Sequence, residues 1–275
     1  MKIEFPPVKS VFSVICTTIA VAPFVAFPTA AQSAETLLHK SKFNVYYLGV
    51  NVGRMTHAVE LADDTYKISG SAKANSVVSL VAKVKASYSS RGRITNDRLI
   101  PTTHNVKLNS NGKSKRLKMG FSPTGVQDIQ ARPKIRYKFG TVPLEKSHLR
   151  NVLDPVSSLL FQVKAGDIGN GRKVCSRIVP IFDGRARLNL ALSYKSKGSS
   201  KIKGFQGDTF TCAVRYQPVS GIRPHKKNIK FMKANRDMQV TMARMGNSNF
   251  YTLIGFRVRT SKGLASGSAY EFSTR

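Results

Sequence analysis

LDPVSSLL, residues 153–160, is the clearest helix start in a chain that otherwise reads as strand, and the element it begins determines what the strands must pack around. Asp154 is a good N-cap acceptor, and Pro155 suits the first helical position, where its missing N–H is no loss. Val156, Leu159, Leu160 and Val163 then fall at helical spacing, which predicts a short helix over about 155–164 with one apolar face to cover. The lone carboxylate of Asp154 reads as a cap, not as a catalytic acid.

Upstream of it the pattern is β. FNVYYLGVNVGRMTHAVEL, residues 43–61, holds two strand-like runs around Leu48-Gly49, with Gly53 marking a bulge or bend. Asp63-Asp64 reads as a turn, and TYKISGSAKA continues the alternation with Tyr66 and Ile68 on one face. Residues 76–88 mix helical and alternating spacing and are read as strand. A turn is expected at Arg91-Gly92 and a break at Pro101, followed by an Asn111-Gly112 hairpin and a Pro-Thr-Gly turn at 123–125.

Downstream, KVCSRIVPIF and RARLNLALSYK read as strands around an Asp183-Gly184 turn. Residues 195–208, polar, basic and glycine-rich, read as a mobile connection leading to a strand that carries Cys212. KKNIKFMK and MQVTMARMG read as strands with Ile229, Phe231, Val240 and Met242 inward, before one long final strand through Phe256 and Val258. Met238, Met242 and Met245 fit an ordinary core better than a soft ligand wall. A helix covered by such a chain implies a mainly β fold: one strongly curved antiparallel sheet, an open barrel or spiral, with the helix against its concave face.

The first 34 residues have the layout of a secretory signal: Lys2 and Lys9, an apolar stretch, then small residues, with cleavage expected near Ala31 or Ala34. Residues 35–275 would then form a single exported domain, and the periplasm is the expected compartment. The apolar stretch is short for a bilayer span and is interrupted by Pro23 and Pro28. Cys16 leaves with the signal, so Cys175 and Cys212 remain as an even pair, expected to form a disulfide in an oxidising space.

The chain carries 45 Lys and Arg against 14 Asp and Glu, a formal charge of +31 that becomes +30 once Lys2, Glu4 and Lys9 are removed. Such a balance concentrates anions at the surface. Behind an export signal the anions at hand are lipid headgroups, lipopolysaccharide phosphates and cell-wall polymer, so nucleic acid is not the expected physiological partner. Lys113, Lys115, Arg116 and Lys118 on one hairpin, and Lys195, Lys197, Lys201 and Lys203 on the basic connection, are the anion-binding candidates; a purely solubilising face is the rival reading.

Reaction chemistry is not legible. The five His, at 39, 57, 104, 148 and 225, are scattered, with no metal-ligand spacing, and no nucleophile elbow, phosphate-binding loop or dinucleotide fingerprint occurs. No metal and no cofactor is implied.

The order of FNVYYLGVNVGRM, GRITNDRLIP, LDPVSSLLF and IFDGRARLNL resembles the proteobacterial exported family catalogued as domain of unknown function 3108, over roughly residues 40–260. That resemblance implies an exported, β-rich protein and carries over no catalytic residue. The leading expectation is an envelope binding or structural protein that engages anionic components through its basic surface. The alternatives are a carrier of an acyl or lipid ligand in the concave face, by fold analogy, and a cell-envelope hydrolase.

Overall fold

The computed structural model describes residues 36–75, 83–95 and 98–275. These residues belong to one compact unit. The expected export signal, its cleavage region and residues 76–82 of the ambiguous stretch 76–88 lie outside the described residues, while residues 84–88 are strand as expected.

Seven strands come first: β1 (Leu37–Tyr47), β2 (Val50–Ala62), β3 (Thr65–Ala74), β4 (Val84–Ile94), β5 (Leu99–Ser110), β6 (Lys113–Ser122) and β7 (Gly125–Arg132). After a connecting segment come β8 (Leu160–Gln162), helix α1 (Gly171–Cys175), β9 (Arg177–Phe182), β10 (Arg187–Ile202) and β11 (Phe205–Ser220). Helix α2 (Lys227–Ala234), β12 (Met238–Arg244), β13 (Phe250–Thr260) and β14 (Gly263–Thr274) complete the chain.

Two antiparallel meanders make one sheet. The spatial order runs β7 to β1, then β14 back to β9, with β8 on the side of β13, so the first and last strands pair at the centre of the sheet. Its free edges are β7 and β9. Turn chemistry sets this register: Leu48-Gly49 and Asn111-Gly112 take positive φ at both central positions, the geometry that two-residue hairpins require.

Residues 150–153 join the two edges. Gly125 of β7 bridges Arg150, and Leu153 bridges Ile181 of β9. Backbone hydrogen bonds fix both contacts, Asn151 N–H to Thr124 at 3.2 Å and Leu153 N–H to Pro180 at 2.8 Å. The sheet stays open as a ladder, but at this end a single four-residue segment, bent at Asn151 (φ 49°), spans the seam.

Strand alternation puts Phe43, Val59, Ile68, Phe210, Met242 and Phe272 on the inner face, where Val156, Leu160, Phe161 and Val163 of the connecting segment fill the concavity. Full burial of each such side chain contributes roughly 1.5–3 kcal/mol, so this segment is the plug around which the sheet curls. Met238, Met242 and Met245 are buried core.

The plug is not the expected helix over 155–164. Asp154 caps as anticipated, accepting from the backbone N–H of Val156 at 2.9 Å and Ser157 at 3.0 Å. The turn it starts ends as a 3-10 turn over Ser157–Leu159, and the chain then extends into β8, which pairs with β13. Ladder bonds to β13 at Leu160 to Gln162 replace the helical bonds that local spacing favours.

Other expectations also change. Arg91-Gly92 is not a turn but a register shift inside β4, opposite Pro101; the pairing with β5 runs on to Ile94 and Leu99, and the Thr95 N–H bonds the Arg98 carbonyl. Residues 195–208 are not a mobile connection but the paired ends of β10 and β11. KKNIKFMK is α2, a helix with no fully buried residue. The expected final strand is two, β13 and β14, folded at Thr260–Gly263. Cys175 ends α1, where a strand was expected, because Asn170 caps that turn through the N–H groups of Arg172 and Lys173. The bond to Cys212 of β11 is present.

Candidate functional site

The interior carries polar chemistry that the apolar pattern hides. Asp154 is fully buried with His104 of β5 and Ser90 of β4. Its Oδ1 accepts from the Ser90 hydroxyl at 2.7 Å and lies 3.0 Å from His104 Nδ1, while Oδ2 accepts from the Ser157 hydroxyl at 2.6 Å. The Tyr66 hydroxyl meets Ser157 Oγ at 2.8 Å. Burial pushes the Asp154 carboxyl up, but the hydrogen bond and charge of His104, together with the Ser157 bonds, hold it below the usual carboxylate range.

Asp, His and Ser in contact invite a catalytic reading, and the geometry excludes a relay. A relay needs the carboxylate and the hydroxyl on opposite ring nitrogens. Here Ser90 Oγ, at 2.8 Å, and Asp154 Oδ1 both meet Nδ1 of His104. All three side chains are closed off from solvent. The cluster locks the plug to β4 and β5.

His57 and His39 are likewise structural. His57 Nδ1 lies 3.1 Å from the Tyr88 hydroxyl. The two ring nitrogens of His39 meet Thr274 Oγ1 at 2.9 Å and Ser41 Oγ at 3.1 Å. Burial lowers both, His57 to about 4 and His39, with help from the nearby His57, to about 3. Among the described residues no group of His, Cys, Asp and Glu is arranged to hold a metal ion.

The outer face is where the charge is organised. Arg54, Lys73 and Lys85 stand directly opposite one another on β2, β3 and β4. Lys107, Arg116 and Arg132 do the same on β5, β6 and β7. The register steps by two residues between the triplets, since Lys85 faces Asn109 and Ser87 faces Lys107. One exposed cation per strand therefore crosses six adjacent strands. At about 4.8 Å per strand the stripe spans roughly 24 Å.

Alternation fixes its side of the sheet. On β5 and β6, His104 and Met119 pair on the buried face, an odd number of residues from Lys107 and Arg116. Between the cations stand Ser71, Ser87, Asn109 and Ser114, and among the described residues none of the six has an ion-pair partner. Near β7, Arg116 and Arg132 border a hollow of about 800 Å³ between the sheet and residues 134–144.

A second concavity lies at the seam. Its volume is about 490 Å³, and Leu99, Phe121, Leu160, Phe161 and Ile178 give it apolar walls. Arg98, Lys164, Lys173 and Arg177 line it, against a single acid, Asp167. The Arg177 guanidinium stacks over Phe161 at 4.7 Å and donates to the Lys173 carbonyl at 3.0 Å.

The residues singled out from sequence separate in space. Arg116 and Lys118 share the outer face of β6, whereas Lys113 and Lys115 follow the other parity toward the hairpin tip. On the second cluster Lys197 pairs with Asp208 at 2.7 Å, Lys203 lies 3.8 Å from Glu271, and Lys195 donates to Gln239 at 2.8 Å. Lys201 faces Gln206. Sequence reasoning missed Arg54, Lys73, Lys85, Lys107 and Arg132, since each is one cation in an alternating strand and only strand register aligns them.

These features define a class: an open, plugged, β-barrel-like protein with a row of exposed cations on the outer face of one half of its sheet. The chain belongs to the family described as a protein of unknown function, DUF3108, whose profile matches residues 42–270. Its fold is similar to the crystal structure of a β-barrel-like protein of domain of unknown function DUF1849 from Brucella abortus, at TM-score 0.53 and 7% identity, over 88% of this chain and 99% of that one. No curated protein matches the chain. No helix among the described residues is long and apolar enough to cross a membrane.

Proposed function

We propose that this protein is an exported binding protein of the cell envelope, acting in the periplasm, that holds an anionic polymer against the outer face of β2 to β7. The stripe of six exposed cations carries the reading. Like charges directly opposite on neighbouring strands are destabilising, and here two triplets accept that penalty with no acidic ion-pair partner among the described residues. A linear polyanion laid across the strands relieves it, meeting one cation per step, while the intervening Ser and Asn side chains supply neutral hydrogen-bonding groups. The envelope ligands that fit are phosphate- or carboxylate-bearing glycans.

The test is binding of dextran sulfate and of purified lipopolysaccharide over a salt series. Six neutralised charges give a slope of about −4 in log affinity against log salt, by the rule for flexible single strands. The triple variant Lys73→Glu, Lys107→Glu, Arg116→Glu is expected to abolish binding. Its control, Lys195→Glu, Lys197→Glu, Lys201→Glu, carries the same change of net charge away from the stripe. Equal losses in the two variants would reduce the stripe to a solubilising face.

A further inference from the structure

We infer that the seam groove is a binding site for the chain of a long-chain fatty acid, with its carboxylate held at the cationic rim. This inference rests on residues separate from the outer stripe.

The first ground is shape and polarity. At about 490 Å³ the groove falls within the range of small-ligand sites, roughly 300–1,000 Å³. Its walls come from both sheet edges and from the plug, so it lies where the barrel fails to close. Ile178 of β9 is 64% exposed on this wall, a large apolar side chain left in water on a strand whose neighbours Val179 and Ile181 are buried. An apolar occupant would remove that exposure.

The second ground is charge. Four cations against one acid give the lining a formal +3, and none of the four has an ion-pair partner among the described residues. Lys164 and Lys173 are exposed, while Arg177 is held against Phe161. Removal of Arg177 from water lowers its pKa, so the low-dielectric end of the groove already holds a poorly solvated cation. An apolar slot with cations and almost no acid complements one apolar chain with one anionic end.

The third ground is unsatisfied polarity. Gln162 Oε1 and Arg177 Nε, on two lining residues, are buried with no hydrogen-bond partner. Such groups are uncommon in folded proteins, and the other two guanidinium nitrogens of Arg177 are already committed to the Gln162 and Lys173 carbonyls, so this end of the groove wall is left polar and under-satisfied.

The experiment is titration of the protein, as purified from its host, with a fluorescent polyene fatty acid, followed by displacement with palmitate and with the matching fatty alcohol. Saturable binding of one molecule per chain is expected, with the alcohol about tenfold weaker because it cannot form the charge-assisted contact. Ile178→Glu puts a carboxylate in the wall at an exposed position and abolishes binding; Lys164→Glu with Lys173→Glu weakens it about tenfold. Retained melting temperatures show that these variants fold. Absence of saturable binding, unchanged affinity in Ile178→Glu, or equal affinity for acid and alcohol would each overturn the assignment. The stripe variant Lys73→Glu, Lys107→Glu, Arg116→Glu leaves fatty-acid binding unchanged, so either reading can fail alone.

Discussion

Asp154 Oδ1 lies 3.0 Å from His104 Nδ1, and both side chains are shut away from solvent between the plug and β5. The carboxylate also satisfies two backbone N–H groups and two serine hydroxyls, so a single side chain caps the 3-10 turn and fastens it to the sheet. The plug is therefore held by polar specificity as well as by apolar fill.

Removing that carboxylate should be among the costliest single changes in the molecule. Asp154→Ala leaves His104, Ser90, Ser157 and two N–H groups without their acceptor, and breaking a buried pair costs about 3–5 kcal/mol. Asp154→Asn retains one acceptor oxygen and should cost less. Urea unfolding of both variants against the parent measures the difference, and a loss below about 1 kcal/mol for Asp154→Ala would show that the plug does not depend on this network.

Acid should loosen the protein before its carboxylates titrate. His39 and His57 are depressed to about 3 and about 4 by burial, whereas unfolded histidine titrates near 6.5. Below about pH 6.5 the unfolded chain binds protons that the folded one refuses, so stability falls as pH drops toward about 4. Each histidine contributes up to roughly 1.4 kcal/mol per pH unit in that window. Below it the depressed Asp154 adds a further loss in the same direction. Unfolding free energies at pH 7, 5.5 and 4.5 give the slope, and the double variant His39→Gln, His57→Gln should flatten it.

Reduction of the disulfide should release α1 first. Cys175 and Cys212 are 37 residues apart in sequence, which in the chain-entropy model corresponds to about 3–4 kcal/mol. The helix has five residues, too few to persist alone, and depends on buried Val174 and Cys175. Amide exchange in residues 171–176 should therefore accelerate more than exchange in β1 or β14 when Cys175 and Cys212 are both replaced by Ala. A uniform acceleration would mean that the bond acts on the whole sheet.

What was legible in the sequence depended on how local the determining physics is. Leu48-Gly49, Asn111-Gly112 and Asp183-Gly184 declare their turns through backbone preference, and the alternation of Tyr66 and Ile68 declares an inner face, so a curved antiparallel sheet could be read directly. Asp154-Pro155 announced its cap correctly. The length of the element it starts was not local, because Leu160 to Gln162 are extended by pairing with β13, about ninety residues away. The same holds for KKNIKFMK, whose alternation resembles a strand although the chain coils there into α2. The candidate sites were less legible still: Arg116 was identifiable within a basic run, but Arg54 and Lys73 acquire meaning only once hairpin register sets them side by side.

That alignment carries a consequence for stability opposite to its consequence for binding. Lys73 faces Arg54 and Lys85, and Arg116 faces Lys107 and Arg132. Reversing the central charge of each triplet turns four like-charge cross-strand pairs into four opposite-charge pairs. Each such exchange is worth roughly 0.2–1 kcal/mol on an exposed sheet face. Lys73→Glu with Arg116→Glu should therefore raise the unfolding free energy at low salt, by about 1–3 kcal/mol, with the gain shrinking as salt screens the pairs. If these cations serve a polyanion, the stabilised variant is also the one that binds it worst, the trade expected where function holds side chains in an unfavourable arrangement. Thermal denaturation at two salt concentrations, beside the binding series, separates the cases. Gained stability with lost binding marks the stripe as a site, and no gain in stability would mean that the six charges are too far apart or too well solvated to act together.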